Sequence, residues 1–284
     1  MAPITVRNLR FPLDDTPQYW LGGQRSLSLL LDQLSIVFPP GESFFMESVR
    51  AFERELTDPT LRAAVRGFHA QEALHGREHA QYNERLAKWG YPVKAIDRSS
   101  RRMLALARLV LPKRAQLAVT AALEHFTALF AQVALAEDSF LHKAHPQMDA
   151  LWRWHAAEEN EHSAVAFDVL QQVSGSYPLR VSIMVLATTF FLLKTLEHQL
   201  RMMAADGILF SREEWRAFFR FLFVDPAMLV RVYKPYLEYY RRDFHPHQID
   251  SSALLETWKR EFASAPIYRD NLYAKRSALV SEPA

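Results

Sequence analysis

In "FHAQEALHGREH", residues 68–79, a carboxylate and two imidazoles occupy positions where a helix normally carries leucine. Leu61, Val65 and Phe68 lead into the stretch at four- and three-residue steps, and Tyr82 and Leu86 continue them. That spacing is the inward stripe of an amphipathic helix, and Glu72, His75 and His79 lie on it. Burying an unpaired carboxylate is costly, so the helix requires a compensating charge.

A second stretch supplies the match. In "MDALWRWHAAEENEHSAVAFDV", residues 148–169, Trp152, His155, Glu159, His162, Ala166 and Val169 follow at the same steps. Glu72 with His75 and Glu159 with His162 are therefore two Glu-x-x-His pairs on two inward stripes. Two such pairs, with one glutamate from each of two further helices, form the ligand set of a carboxylate-bridged dimetal site in a four-helix bundle. Glu124 is one candidate, in a row with Leu117, Ala121, Ala128 and Ala131. Glu42 is the other, because it aligns with Phe45, Val49, Phe52 and Leu56, whereas Glu47 aligns with Arg50, Ala51 and Arg54.

Residues three apart on a helix project to one side, so each pair can offer a carboxylate and an imidazole to one ion. Oxygen and nitrogen donors without sulfur suit iron first, with manganese or zinc as alternatives. Four carboxylates neutralise two divalent ions, and the ions offset the burial of the carboxylates. Glu72 and Glu124 are the expected bridges. His155, one turn before Glu159, is either a seventh ligand or a hydrogen-bond partner of one. His79 reads as a supporting or pocket-lining residue. His125 points about a third of a turn away from Glu124 and is left out of the set. His245 and His247 read as loop residues, and Glu158 and Glu161, off the stripe, as solvated.

The rest of the chain fits an all-α protein. Its 284 residues are 49% hydrophobic and 23% charged, enough for a large core in a soluble composition. A net charge of +2 argues against nucleic acid as partner. Eight glycines disfavour a β protein or a nucleotide-binding α/β fold, and the lack of cysteine excludes disulfides and thiolate metal sites. No signal-peptide layout opens the sequence, so a cytoplasmic location is expected. The longest apolar run, residues 181–193, is short for a membrane span.

Turn signals divide the chain into an irregular arm (1–23), a single helical domain (24–265) and a loosely ordered tail (266–284). Within the domain the reading is a short helix over 25–37, a break at "FPPG", and helices over about 41–57, 59–89, 101–112, 113–142 and 146–173. A long helix over 178–205 and shorter ones around 211–222, 226–242 and 250–264 follow.

The blocks "FPPGESFFMESVR", "FHAQEALHGREHAQYN", "ALEHFTA" and "WRWHAAEENEHSAVAFDV" together resemble a bacterial family of predicted metal-dependent hydrolases. That resemblance covers about residues 20–265 and implies a ferritin-like helical bundle that binds metal. The trio His155, Glu159 and His162 is also similar, locally, to the di-iron p-aminobenzoate N-oxygenase family. The leading expectation is a di-iron oxidase or oxygenase for a small or lipid-like apolar substrate, fed by an external electron donor. The alternatives are a metal-dependent hydrolase using a dimetal-activated water, and a metal storage or sensing protein. Storage shells are usually shorter chains, and roughly 110 residues follow the helix that carries the second Glu-x-x-His pair here. The apolar segments "MLALARLVL", "VSIMVLATTFFLL" and "FFRFLFV" read either as core or as an apolar channel or membrane-surface patch. A peripheral membrane contact and a homodimer are both compatible with the composition.

Overall fold

A computed structural model describes residues 4–272, and among them the regular structure is helical, with only isolated β-bridges. The helices are α1 (Arg25–Arg50), α2 (Pro59–Lys88), α3 (Val93–Val110), α4 (Lys113–Leu135), α5 (Pro146–His162) and α6 (Val165–Val173). They are followed by α7 (Tyr177–Ala205), α8 (Arg212–Phe223), α9 (Met228–Glu238), α10 (Ser252–Ser264) and α11 (Pro266–Asn271). Around the acidic cluster α1 packs on α2, α2 on α5 and α6, these on α4, and α4 back on α1. α3 and α7 lie outside α1, with α7 also against α4.

Local signals explain the clean helix ends. Asp58 accepts the amide of Thr60 at 2.8 Å and Pro59 takes the first turn of α2, while Gly90 at φ +88° ends it. α4 stops at Leu135, short of the expected 142. There Ser139 donates its hydroxyl to the Ala134 carbonyl at 2.6 Å and accepts the Leu141 amide at 3.2 Å. The stretch read as one helix over 146–173 is α5 and α6, with a slip at Ser163 and Ala164 where the Ser163 hydroxyl bonds the Asn160 carbonyl at 3.1 Å. α3 begins at Val93, earlier than the expected 101.

The largest departure concerns "FPPG". The predicted break is absent: α1 runs through Pro39 and Pro40 without interruption. Proline at 39 deprives the Ser35 carbonyl of its usual donor four residues on. Asn83 of α2 fills that role, its side-chain amide donating to Ser35 O at 2.9 Å. Tertiary packing thus repairs what local propensity forbids, and the repair later proves to orient the site.

The N-terminal arm is irregular but not peripheral. Leu9, Phe11, Leu13, Trp20 and Leu21 are buried, and the Trp20 indole donates to Asp32 of α1 at 2.8 Å. The arm crosses α2 at Gly67, where a side-chain carbon would meet Ile4 Cβ at 2.6 Å, so only glycine permits the crossing. Leu9 bridges Leu272 beside α11, whose Tyr268 is buried. Residues 266–271, expected to be loosely ordered, are therefore helical, and the rest of the predicted tail, 273–284, lies outside the described residues.

Candidate metal centre

Glu42 on α1, Glu72 and His75 on α2, Glu124 on α4, and His155, Glu159 and His162 on α5 are all buried and converge between the helices. Their donor atoms fall into overlapping groups. Glu42, His75 and His155 form one; Glu72, Glu124 and His162 another; Glu72, His75 and Glu159 link the two, and within each group the atoms lie within 4.8 Å of one another. His162 Nε2 stands 3.1 Å from Glu72 Oε1, 3.3 Å from Glu124 Oε2 and 3.5 Å from Glu159 Oε2. His75 Nδ1 stands 3.7 Å from Glu159 Oε1 and 4.0 Å from Glu72 Oε1. Glu72 and Glu159 thus each face both histidines. Of these two histidines Glu124 faces only His162, so the expected pair Glu72 and Glu124 does not share both rings as Glu72 and Glu159 do.

These atoms lack ordinary partners. Both oxygens of Glu42, Glu72 and Glu124, Oε2 of Glu159, Nδ1 of His75 and Nε2 of His162 are buried without a hydrogen bond among the described residues. Such orphaned acceptors are rare in folded proteins and call for a cation. Two ligands held at about 2.1 Å and at right angles on one ion are about 3 Å apart, close to the spacings here. The donor set fits a pair of divalent ions.

The other nitrogen of each histidine is held. His75 Nε2 meets Glu158 Oε2 at 3.0 Å, and His162 Nδ1 meets Gln71 Oε1 at 2.9 Å. The two supports are reciprocal: the residue before each Glu-x-x-His glutamate reaches across to the histidine of the opposite pair. Each leaves the cluster-facing nitrogen free to coordinate. Arg7 of the arm contacts Glu158 Oε1 at 3.2 Å and grips both oxygens of Glu161 at 2.8 Å, with its guanidinium 4.9 Å from the Trp258 ring centre. Glu161 in turn accepts from Gln71 at 3.1 Å.

The expectation that Glu158 and Glu161 are solvated is therefore wrong. α5 is covered on the side away from the cluster by the arm and α10, so its second face is buried as well.

His155 is oriented by a longer relay. Asn83 gives its amide hydrogens to the Ser35 carbonyl, so its own Oδ1 must accept the Ser35 hydroxyl at 2.9 Å. Ser35 Oγ, its hydrogen spent, accepts from Nδ1 of His79 at 2.9 Å. Neutral His79 then accepts through Nε2 from Nδ1 of His155 at 2.7 Å. On the far side of the ring, His155 Nε2 stands 2.8 Å from Glu159 Oε1. His79 itself belongs to no donor group; it supports His155.

Burial and the neighbouring charges shift the proton affinities of these groups in opposite directions. Burial, reinforced by Glu72, Glu159 and Glu124, pushes Glu42 well above the carboxylate range. Burial raises Glu72, and raises Glu124 to about 8. Burial favours the same for Glu159, but His162 and His155 outweigh it and hold Glu159 well below the ordinary value. His162 rises well above its usual range against burial because Glu159 and Glu124 face it, whereas burial and His155 depress His75.

Gly76 makes room for this arrangement. A side-chain carbon there would lie 2.8 Å from Glu42 Oε2. The rotation that favours Glu42 over Glu47 is the one observed: Glu47 is exposed and pairs with Arg108 at 2.7 Å. His125 is buried against Tyr239 and Phe244, apart from the donor groups, and His245 bonds Asp168 at 2.8 Å.

An all-helical chain with clustered metal-type donors from four helices defines the class. Residues 5–250 match the family described as predicted metal-dependent hydrolase, and the chain belongs to that family. Comparison with curated proteins and with solved structures returns no match.

Proposed function

We propose that this chain is a metal-dependent hydrolase with a dinuclear centre in a ferritin-like four-helix arrangement of α1, α2, α4 and α5–α6. Glu42, His75 and His155 would hold one ion and Glu124 and His162 the other, with Glu72 and Glu159, which face both His75 and His162, within reach of each. The observation that carries this reading is the convergence of unpartnered, buried oxygen and nitrogen atoms from these residues. Membership of the metal-dependent hydrolase family favours hydrolysis over the oxidase or oxygenase expected at first.

Two divalent ions supply Lewis-acid activation of water and neutralise charge that develops on a scissile carbonyl or phosphoryl oxygen. The chain's own residues hold the geometry. Glu158 accepts a hydrogen bond from Nε2–H of His75, Gln71 Oε1 one from Nδ1–H of His162, and His79 one from Nδ1–H of His155. Each ring therefore presents a lone pair inward, and Arg7 keeps Glu158 and Glu161 in place.

The test is metal-free protein reloaded with Mn²⁺, Zn²⁺ or Fe²⁺ and assayed against carboxylic-ester and phosphoester panels, with oxygen uptake of the ferrous form followed in parallel. Metal-dependent hydrolysis supports the proposal. Oxygen consumption by the ferrous form with no hydrolysis under any metal returns the site to oxidative chemistry.

A further inference from the structure

The outer layer of the fold leaves a broad apolar face uncovered. α7 packs one side at both ends: Ile183 and Met184 at one, Met202 and Met203 at the other, are buried, and Gln199 donates to the Ser26 carbonyl at 2.9 Å. Its other side is bare, with Val185 52%, Phe190 47% and Leu193 60% exposed. α7 is long and apolar enough to cross a membrane, yet only 22% of its most apolar window is buried.

α3 extends the same face. Lys194 of α7 bonds Ser99 of α3 at 3.0 Å, and both helices pack on α1, so the two meet at that point. Beyond that contact α3 exposes Leu106 at 57%, Leu109 at 83% and Val110 at 61%. Contiguous apolar surface of this extent on a soluble domain marks a site of association.

Charge indicates the partner. Residues 93–114 hold seven Lys and Arg against one acid, Asp97, a net of +6 in a chain whose total is +2. Arg101 pairs with Asp97 at 2.9 Å and Arg108 with Glu47 at 2.7 Å. Lys94, Arg98, Arg102, Lys113 and Arg114 have no acidic partner among the described residues and flank the exposed leucines. Lys94, Arg98, Arg101 and Arg102 line a shallow groove on α3.

We propose that the α3–α7 face seats this protein on an anionic lipid bilayer, its leucines and phenylalanine entering the acyl boundary and its α3 cations meeting the headgroups. An amphipathic helix with a cationic rim lies in the interface in this way. The chain rests on the bilayer and does not cross it: the inner side of α7 carries buried His198 and Gln199 packed on the domain, an arrangement that a span through lipid would break. A two-fold pairing of copies through the same face would set the α3 cations against their own copies. The inference does not depend on the reaction assigned to the metal centre.

The experiment is flotation of the full chain with vesicles of phosphatidylcholine alone and of phosphatidylcholine mixed with phosphatidylglycerol. Binding to the mixed vesicles is expected to exceed binding to the neutral ones by at least about tenfold and to weaken with added salt. The double variant Leu109→Asp/Leu193→Asp and, separately, Arg98→Gln/Arg102→Gln should lose that binding while keeping wild-type helicity and metal content. Wild-type protein that stays free of both vesicle types overturns the proposal. So does a lipid-free dimer, seen by sedimentation equilibrium, that Leu193→Asp dissociates.

Discussion

Replacing Gly76 by alanine separates the metal centre from the fold that carries it. Gly76 sits in α2, where alanine is the better helix former by up to about 1 kcal/mol, so the metal-free protein should melt at the same temperature or higher. The added carbon falls 2.8 Å from Glu42 Oε2, short of the 3.4 Å at which ordinary contact begins, and the carboxylate must withdraw by about 0.6 Å. Ligand bonds tolerate about 0.2 Å, so Glu42 would no longer reach the ion it shares with His75 and His155. A loss of about 10- to 100-fold in affinity at that position, about 1.4 to 2.8 kcal/mol, is the expected scale. The position served by Glu124 and His162 should be much less affected.

Isothermal titration with Mn²⁺ and elemental analysis after gel filtration read the two positions, and melting curves with and without metal read the fold. The same substitution in a Glu42→Ala background should cost almost nothing further, because its target is gone. Wild-type stoichiometry and affinity in Gly76→Ala would refute the reasoning and remove Glu42 from the ligand set.

Other expectations follow from the same geometry. Glu42→Ala should sharply lower metal content, whereas Glu47→Ala, at an exposed pair with Arg108, should leave it at the wild-type level; elemental analysis of both variants distinguishes them. Glu158→Ala frees the His75 ring and should weaken metal binding by about 10- to 100-fold without removing a ligand, with a titration curve indistinguishable from wild type as the contrary result. Glu124 must lose a proton held up to about 8 before it coordinates, so metal affinity should climb with pH until about 8. Without metal the sign reverses: the folded chain keeps a proton that the unfolded chain releases near 4.5, so stability should fall as pH rises from about 4.5 to 8. Melting temperatures of metal-free protein across that range check the direction.

Periodicity made half of this centre legible. An α-helix returns to the same face every three or four residues, so Glu72 and His75, Glu159 and His162, and Glu42 against Glu47 could be placed from spacing alone. The absence of cysteine and the scarcity of glycine excluded other donor chemistry and other folds by the same local logic. What spacing does not contain is which second face of a helix another segment will cover. Glu158 looked solvated because Arg7, which seals it, lies 151 residues away along the chain. Which of the two histidines Glu124 faces depends on how α4 docks, not on its own stripe. Pro39 and Pro40 looked like a break because local propensity knows nothing of Asn83, whose amide completes the backbone of α1 from α2. The same amide, through Ser35 and His79, fixes which nitrogen His155 turns toward the carboxylates. A proton's position on an imidazole is decided by the last hydrogen bond of a chain crossing three helices, and only the packed structure brings those helices together.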